Sequence, residues 1–253
     1  MNFGKIFIMK PLTQQTLAGI VTNDHRAATV LEKYDLDFCC KGKRTLEAAC
    51  TEKGLSAENI SSEINSTIES KDPSALSFRS MSAEQLISYI LLTHHFYVTQ
   101  QMPQIHAHII KVATKHGDRY PYMKEVLQLF GEVCMEMTTH MHKEETILFP
   151  AIRQAATAFM TGSDPGNSYR IIDNAISVME SDHNEAGDQL SQIRKLTHNY
   201  EVPTGACTTF QLTLAELDAF EKDLHQHVHL ENNILFPMAK GFVPGESCCC
   251  VRS

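Results

Sequence analysis

Two eleven-residue stretches of this chain repeat each other in residue type and in spacing. They are His140-Met-His-Lys-Glu144-Glu-Thr-Ile-Leu-Phe-Pro150 and His227-Val-His-Leu-Glu231-Asn-Asn-Ile-Leu-Phe-Pro237. In each stretch a histidine precedes a glutamate by four residues, and both stretches end in Ile-Leu-Phe-Pro. Residues four apart on an α-helix lie on one face, so each pair presents an imidazole and a carboxylate side by side. Each repeat is therefore a suitable half-site for a metal centre.

A further histidine stands upstream of each repeat at nearly the same distance. His95 precedes His140 by 45 residues, and His183 precedes His227 by 44. Four imidazoles and two carboxylates are donors that suit iron or manganese, and a carboxylate can bridge two ions. The sequence therefore predicts a dinuclear metal site with six protein ligands, which are His95, His140, Glu144, His183, His227 and Glu231.

The donor set also narrows the choice of metal. Zinc sites are usually four-coordinate, with a closed Cys/His set or with three ligands and a water. Copper favours thiolate or thioether donors over carboxylates. We expect two iron ions joined by a carboxylate and an oxo bridge, with manganese as the second choice. The alternative is a duplication kept only for packing, which would explain Leu148, Phe149, Leu235 and Phe236 but not the repeated histidine and glutamate offsets.

Four long helical patterns surround these residues. The first opens at Ser82, where Gln85 completes a capping box, and runs to about His116; the second starts near Pro121 and passes Pro150. The third covers about 168–198, and the fourth ends near Gly241. Short connections make neighbouring helices antiparallel, which predicts an up-down-up-down bundle. Pro103 and Pro150 should each kink or end a helix, and the sequence leaves open which.

The remaining sequence divides around this bundle. Residues 1–70 have the pattern of a small helical domain, in which Ser56 can cap a helix through Ile60 and Ile64. A linker at 71–80 contains Pro73, the bundle covers 81–241, and a cysteine-containing tail covers 242–253. The predicted fold class is therefore all-α.

A pair of adjacent cysteines stands out in the N-terminal domain. Cys39 and Cys40 are followed by Lys41, Lys43 and Arg44, and Thr45 is placed to open a helix. Nearby positive charge and a helix N-terminus both lower a thiol pKa, so we expect reactive thiolates suited to transient redox chemistry or iron transfer. The alternative is a turn with two incidental small residues. The tail Cys248-Cys249-Cys250 either binds a soft metal or has no function.

Composition limits the partners and the compartment. The net charge is −8 without a long basic run, which argues against nucleic acid and anionic membranes as partners. No segment approaches the roughly 18 apolar residues of a spanning helix. The eight cysteines are not spaced as a disulfide framework, which favours a reducing cytoplasm. Translation starts at Met1 or Met9, and a homodimer is left open.

The other histidines and one glutamate lie off the predicted ligand face. His142 and His229 follow ligands by two residues, about 200° around a helix, and Glu145 is about 100° from the face. Substitution of Glu145 is therefore expected to have little effect on metal binding. Five further histidines are also expected to be surface or outer residues of the site: His94, His106, His108, His116 and His225.

With the cysteine pair and the doubled His-x3-Glu in place, nearly the whole chain resembles the RIC (repair of iron centres) family. The similar segments are Tyr34-Asp-Leu-Asp-Phe-Cys39-Cys40-Lys-Gly-Lys, Met179-Glu-Ser-Asp-His183-Asn-Glu-Ala-Gly187 and Leu230–Pro237. The resemblance implies a hemerythrin-like four-helix bundle, the same six ligands, and bridging roles for Glu144 and Glu231. Asp182 stands where members often have Glu beside the ligand histidine.

The resemblance implies a stress-response protein that repairs iron–sulfur clusters damaged by nitric oxide or oxidants, by donating iron with help from Cys39 and Cys40. Its partners would then be damaged iron–sulfur proteins, and the protein would be a donor more than an enzyme. Two alternatives use the same centre: reduction of nitric oxide, and a hemerythrin-like oxygen carrier or sensor. A simple carrier needs no thiol domain, so the cysteine pair argues against the last.

Overall fold

The structure is a computed structural model that describes residues 10–69 and 77–242. It divides the chain into two units, residues 1–80 and 81–253. Met1, Met9, Pro73 and the Cys248–Cys250 tail lie outside the described residues, so the predictions made for them stay predictions.

Hydroxyl side chains start three of the four helices in the N-terminal unit. Those helices are α1 (Leu17–Asn23), α2 (Ala27–Lys33), α3 (Leu46–Lys53) and α4 (Ala57–Glu69). Thr16 accepts a hydrogen bond from the Gly19 amide at 3.1 Å, and Thr45 accepts one from Ala48 at 3.2 Å. Ser56 accepts one from Asn59 at 3.2 Å, as the sequence predicts. Each bond satisfies an amide that the first turn of a helix would leave unpaired.

A small apolar core holds these four helices together. Leu17, Leu31, Leu46 and Ile64 are completely buried. At their edge, Arg26 pairs with Asp24 and also donates a hydrogen bond to the Ile68 carbonyl at 2.8 Å. Burial of one large aliphatic side chain contributes about 1.5–3 kcal/mol, so these residues stabilise the unit.

The second unit is a four-helix bundle, and the predicted all-α architecture is confirmed. Its helical segments are α5 (Ala83–Tyr89), α6 (Phe96–His116), α7 (Tyr122–Lys143), α8 (Phe149–Thr161), α9 (Ser168–Leu196), α10 (Thr208–Leu230) and α11 (Phe236–Gly241). Around the bundle α6 packs on α7, α7 on α9, α9 on α10, and α10 on α6. The capping box at Ser82 and Gln85 is present. No helix within the described ranges is long and apolar enough to cross a membrane.

Three wider π-helical segments interrupt the bundle helices, which the sequence did not predict. They are π1 (Ile90–His95), π2 (Glu144–Leu148) and π3 (Glu231–Leu235). Pro150 and Pro237 lie in the first turn after π2 and π3. A proline lacks the amide needed for an α-helical bond to the residue four before it, and its ring crowds that carbonyl, so the preceding turn widens. Pro103, by contrast, lies inside α6, which continues past it.

The turn after α9 contains a buried ionic cluster. His198, Asn199 and Tyr200 follow one another with φ of 49°, 59° and 59°, a left-handed conformation that costs energy for residues with a Cβ. Tyr200 donates a hydrogen bond to Glu221 at 2.6 Å, and Arg194 donates one to the same carboxylate at 2.9 Å. Glu221 is 2% exposed, so this cluster fixes the turn against α10 from inside.

Candidate metal centre

All six predicted ligands meet in the interior of the bundle. His95 ends π1, and His140 and His227 lie in the last turns of α7 and α10. Glu144 and Glu231 each begin a π-helical segment, and His183 lies in the middle of α9. Each of the six is 3% exposed or less: His95, His140, Glu144, His183, His227 and Glu231.

The two glutamates occupy the middle of the cluster. The Glu144 carboxylate lies 3.3 Å from Nε2 of His95 and 3.3 Å from Nε2 of His140. The Glu231 carboxylate lies 3.0 Å from Nε2 of His227 and 3.1 Å from Nε2 of His183. It also lies 3.9 Å from Nε2 of His95. Each glutamate therefore lies within 3.3 Å of two different ligand histidines.

The donors form two groups that share both carboxylates. One group is His95, Glu144, His227 and Glu231, and the other is His140, Glu144, His183 and Glu231. Within each group the ligand atoms all lie within 4.8 Å of one another. With metal–ligand bonds of about 2.1 Å, two donors to one ion lie about 3.0 to 4.2 Å apart, depending on their angle. The distances from the glutamate oxygens to the histidine nitrogens, 3.0 to 3.9 Å, fall within this span, so each group can surround one ion.

Several of these buried atoms have no hydrogen bond among the described residues. They are Nε2 of His95, both oxygens of Glu144 and Oε2 of Glu231. A buried carboxylate oxygen without a partner is costly, and a bound cation would satisfy it. The donor set and its unsatisfied atoms therefore fit a metal centre.

Charge within the cluster favours ionised carboxylates. Burial opposes ionisation of Glu231, but His227 and His183 outweigh it and hold the Glu231 pKa well below its usual value. Burial likewise opposes protonation of His95 and His140, yet Glu144 and Glu231 raise the His95 pKa to about 10 and the His140 pKa to about 9. Burial prevails at His227, whose pKa is lowered. Two buried negative charges thus attract cations, which metal ions would supply in place of protons.

Outer side chains orient three of the four histidines. Glu145 lies 2.8 Å from Nδ1 of His95, Asp182 lies 3.3 Å from Nδ1 of His140, and Asn232 lies 2.9 Å from Nδ1 of His183. Such partners fix the ring and its tautomer so that Nε2 faces the metal. Glu145 was expected to lie off the ligand face, and it is not among the metal-facing donors. It lies instead against the outer nitrogen of His95, where it can orient the ring.

Asp182 also connects the centre to the surface. Together with Glu136, Lys143 and Glu185 it lines a surface cavity of about 260 Å³. The Asp182 carboxylate lies 3.3 Å from Nδ1 of His140. It contacts Lys143 as well, at 3.4 Å.

The remaining histidines divide into inner and outer sets. His94, expected to lie away from the ligand face, is 2% exposed and stacks parallel to His227 with ring centres 5.6 Å apart. Its Nδ1 lies 3.0 Å from Asp223. His229 is also buried, whereas His108 pairs with Glu216 at 2.7 Å nearer the surface. His116 lies 3.2 Å from the Cys207 sulfur. The sequence spacing could not reveal these partners, since they come from other helices.

The cysteine pair lies in the N-terminal unit, in the loop before α3. The Cys39 sulfur lies 3.3 Å from Asp37 and 3.8 Å from the Cys40 sulfur. Interaction with Cys40, together with burial, raises the Cys39 pKa well above its usual value. The prediction of a low-pKa thiolate was therefore wrong for Cys39, because the Cys40 thiol, burial and the Asp37 carboxylate all raise the pKa of this thiol. The five cysteines that the structure describes form no disulfide.

Known proteins resemble both units. The model of the hemerythrin HHE cation binding domain matches residues 86–239, and that of ScdA_N, a domain of unknown function, matches residues 13–68. The iron-sulfur cluster repair protein YtfE of Escherichia coli (strain K12 / DH10B) is 34% identical over 225 residues, which are 89% of this chain and 96% of the relative. The protein of the same name from Enterobacter sp. (strain 638) is 33% identical over the same shares.

Proposed function

The chain belongs to the hemerythrin HHE cation-binding family and to the family of the iron-sulfur cluster repair proteins, and we propose that it restores damaged clusters by donating iron from a di-iron centre. This membership confirms the family resemblance and the repair role predicted from the sequence. Metal binding follows from the family. The two-ion stoichiometry and the act of donation are the proposal.

The observation that supports two ions is the sharing of Glu144 and Glu231 between the two donor groups. When bound, iron would supply redox and ligand-exchange chemistry at this site. The protein holds four imidazoles and two carboxylates in fixed orientation and keeps bulk water from them. Three side-chain oxygens around the rim, from Glu145, Asp182 and Asn232, hold the rings of His95, His140 and His183 in place.

Two features favour release of iron. One ligand, His227, has no hydrogen bond to Nδ1 among the described residues, so its ring lacks the orienting bond that the other three have. On the opposite side, the cavity beside Asp182 brings further carboxylates, Glu136 and Glu185, close to the surface next to His140. A cation leaving the centre would meet oxygen donors there. We propose that Cys39 and Cys40 then assist the transfer.

The recipients in this proposal are damaged iron–sulfur proteins, and nitric oxide or oxygen are small ligands of the centre. Donation needs no catalytic turnover, so we propose a donor in place of an enzyme; nitric oxide reduction is the alternative activity at the same site. A cytoplasmic setting suits the cysteine spacing, and a homodimer stays an open alternative to a monomer.

A repair assay with a nitric-oxide-damaged iron–sulfur enzyme tests this proposal. Iron-loaded protein should restore the enzyme's activity while losing iron in proportion. The Cys39→Ala/Cys40→Ala variant should keep its di-iron spectrum but repair more slowly, whereas Cys134→Ala should repair at the original rate. Restoration without any loss of iron from the protein would contradict donation. Steady turnover of nitric oxide, without repair, would establish the enzymatic alternative instead.

A further inference from the structure

We propose that Asp37, Cys39 and Cys40 form a second metal site, separate from the bundle centre, for a thiophilic divalent cation such as ferrous iron or zinc. This site would hold the ion during the transfer step proposed above. Its biological role therefore rests on that proposed function. Its existence as a metal site can be tested without any repair assay.

The distance between the two cysteine sulfurs is that expected for two thiolates bound to one ion. Metal–thiolate bonds of about 2.3 Å at a tetrahedral angle place two sulfurs about 3.8 Å apart. The sulfurs of Cys39 and Cys40 are 3.8 Å apart, and one ligand atom from each of Asp37, Cys39 and Cys40 lies within 4.8 Å of the others. A disulfide would need a separation of about 2.05 Å, so this geometry suits a shared ion better than a bond between the sulfurs.

The loop holds these donors in place before any ion arrives. One Asp37 oxygen accepts backbone hydrogen bonds from Cys39 at 3.1 Å, Cys40 at 2.9 Å and Lys41 at 3.2 Å. This arrangement turns the chain so that both thiols lie on the side of the carboxylate. The Cys39 sulfur lies 3.3 Å from this same oxygen, so the Asp37 carboxylate already faces the thiols and would supply the third ligand.

Close packing behind the loop prevents it from rearranging. The Gly42 carbonyl accepts a hydrogen bond from the Ala18 amide at 2.9 Å. A Cβ at Gly42 would lie 2.2 Å from the Phe38 carbonyl oxygen and 2.7 Å from the Ala18 Cβ, so only glycine fits. Cys39 is 5% exposed, whereas Cys40 is half-buried, so the site opens to solvent on the Cys40 side.

Metal binding would exchange two thiol protons for one divalent cation, with no change of oxidation state. The two thiols release their protons to solvent, the divalent cation takes their place between the sulfurs, and the Asp37 carboxylate supplies the third ligand. Three protein ligands leave one position of a tetrahedron open. That open position distinguishes the site from closed structural sites and would allow the ion to pass to another thiol-rich partner.

Cobalt(II) is the probe, because thiolate ligands give it sulfur-to-cobalt charge-transfer absorption. The full chain is first loaded with iron in the bundle, and Cys248, Cys249 and Cys250 are replaced by serine to remove competing tail thiols. In this background one cobalt per chain should bind with charge-transfer absorption. Cys39→Ser/Cys40→Ser should abolish the absorption while the bundle iron and the helical circular dichroism stay unchanged.

Matched variants make each ligand testable. Cys134→Ser/Cys207→Ser should leave cobalt binding unchanged. Asp37→Asn keeps an oxygen that can accept the amides but loses the negative charge, and should weaken binding about tenfold or more. Absence of the absorption in the background protein, or its survival in Cys39→Ser/Cys40→Ser, would overturn the site. Unchanged affinity in Asp37→Asn would overturn the role of the carboxylate. Cobalt binding combined with failed repair would overturn only the proposed function.

Discussion

A carboxylate oxygen of Glu145 lies 2.8 Å from Nδ1 of His95, on the opposite side of the imidazole from Glu144. Consecutive glutamates therefore serve the two nitrogens of one histidine ring. Glu144 lies on the side where a metal would bind, and Glu145 orients the ring from the other side.

Replacement of Glu145 should weaken metal binding without abolishing it. Loss of an outer partner to a ligand histidine typically lowers metal affinity by about 10–100-fold, because the ring is no longer held in one orientation. Metal affinity of Glu145→Ala measured by chelator competition should show this decrease, and Glu125→Ala, at an exposed position of α7, should not. Equal affinities for the two variants would contradict an orienting role for Glu145.

The two central glutamates should each affect both ions. Since Glu144 and Glu231 belong to both donor groups, Glu144→Ala or Glu231→Ala removes a ligand from each ion. We expect the iron content of either variant to fall below one ion per chain, measured by metal analysis with helical content unchanged. Selective loss of a single ion, with the other fully retained, would show that the carboxylate is not shared.

The ligands were predictable because histidine and glutamate four apart on a helix face one another, and the pattern occurs twice. The residues that orient the ligand histidines could not be predicted from the sequence in this way. Glu145 reaches His95 across the bundle, because His95 lies on another helical segment and turns its Nδ1 towards Glu145. Asp182 reaches His140 from another helix, and no local spacing encodes that contact. The Cys39 pKa depended in the same way on which neighbours the folded loop brought closest.

The buried carboxylate of Glu221 should matter for stability and not for metal binding. Glu221→Ala would take the 2.9 Å partner from Arg194 and the 2.6 Å acceptor from Tyr200, and breaking a buried pair costs about 3–5 kcal/mol. Asp218→Ala breaks only the exposed pair with Lys222 and should cost about 1 kcal/mol or less. Urea denaturation of the iron-loaded variants measures the free energy of unfolding of each. Similar decreases for the two variants would contradict a stabilising role for the buried Glu221 carboxylate.

Alkylation of Cys39 should depend steeply on pH. Its raised pKa means that the thiol stays protonated near neutral pH, and the reactive thiolate appears as pH rises above the ordinary thiol value of about 8.5. Mass spectrometry after iodoacetamide treatment of metal-free protein should show slow labelling of Cys39 at about pH 7 and a rise through alkaline pH. Exposed Cys207 gives the comparison for access. Rapid labelling of Cys39 at neutral pH would restore the low-pKa thiolate first expected from the lysines.

We propose that one bundle holds two iron ions through six side chains, two of which are shared carboxylates. Metal analysis with Mössbauer spectroscopy of anaerobically purified protein tests this stoichiometry, with Cys39→Ser/Cys40→Ser included so that the loop site does not contribute. We expect two irons per chain with the spectrum of a coupled pair. A stoichiometry of one zinc per chain, without coupled iron after iron loading, would contradict it.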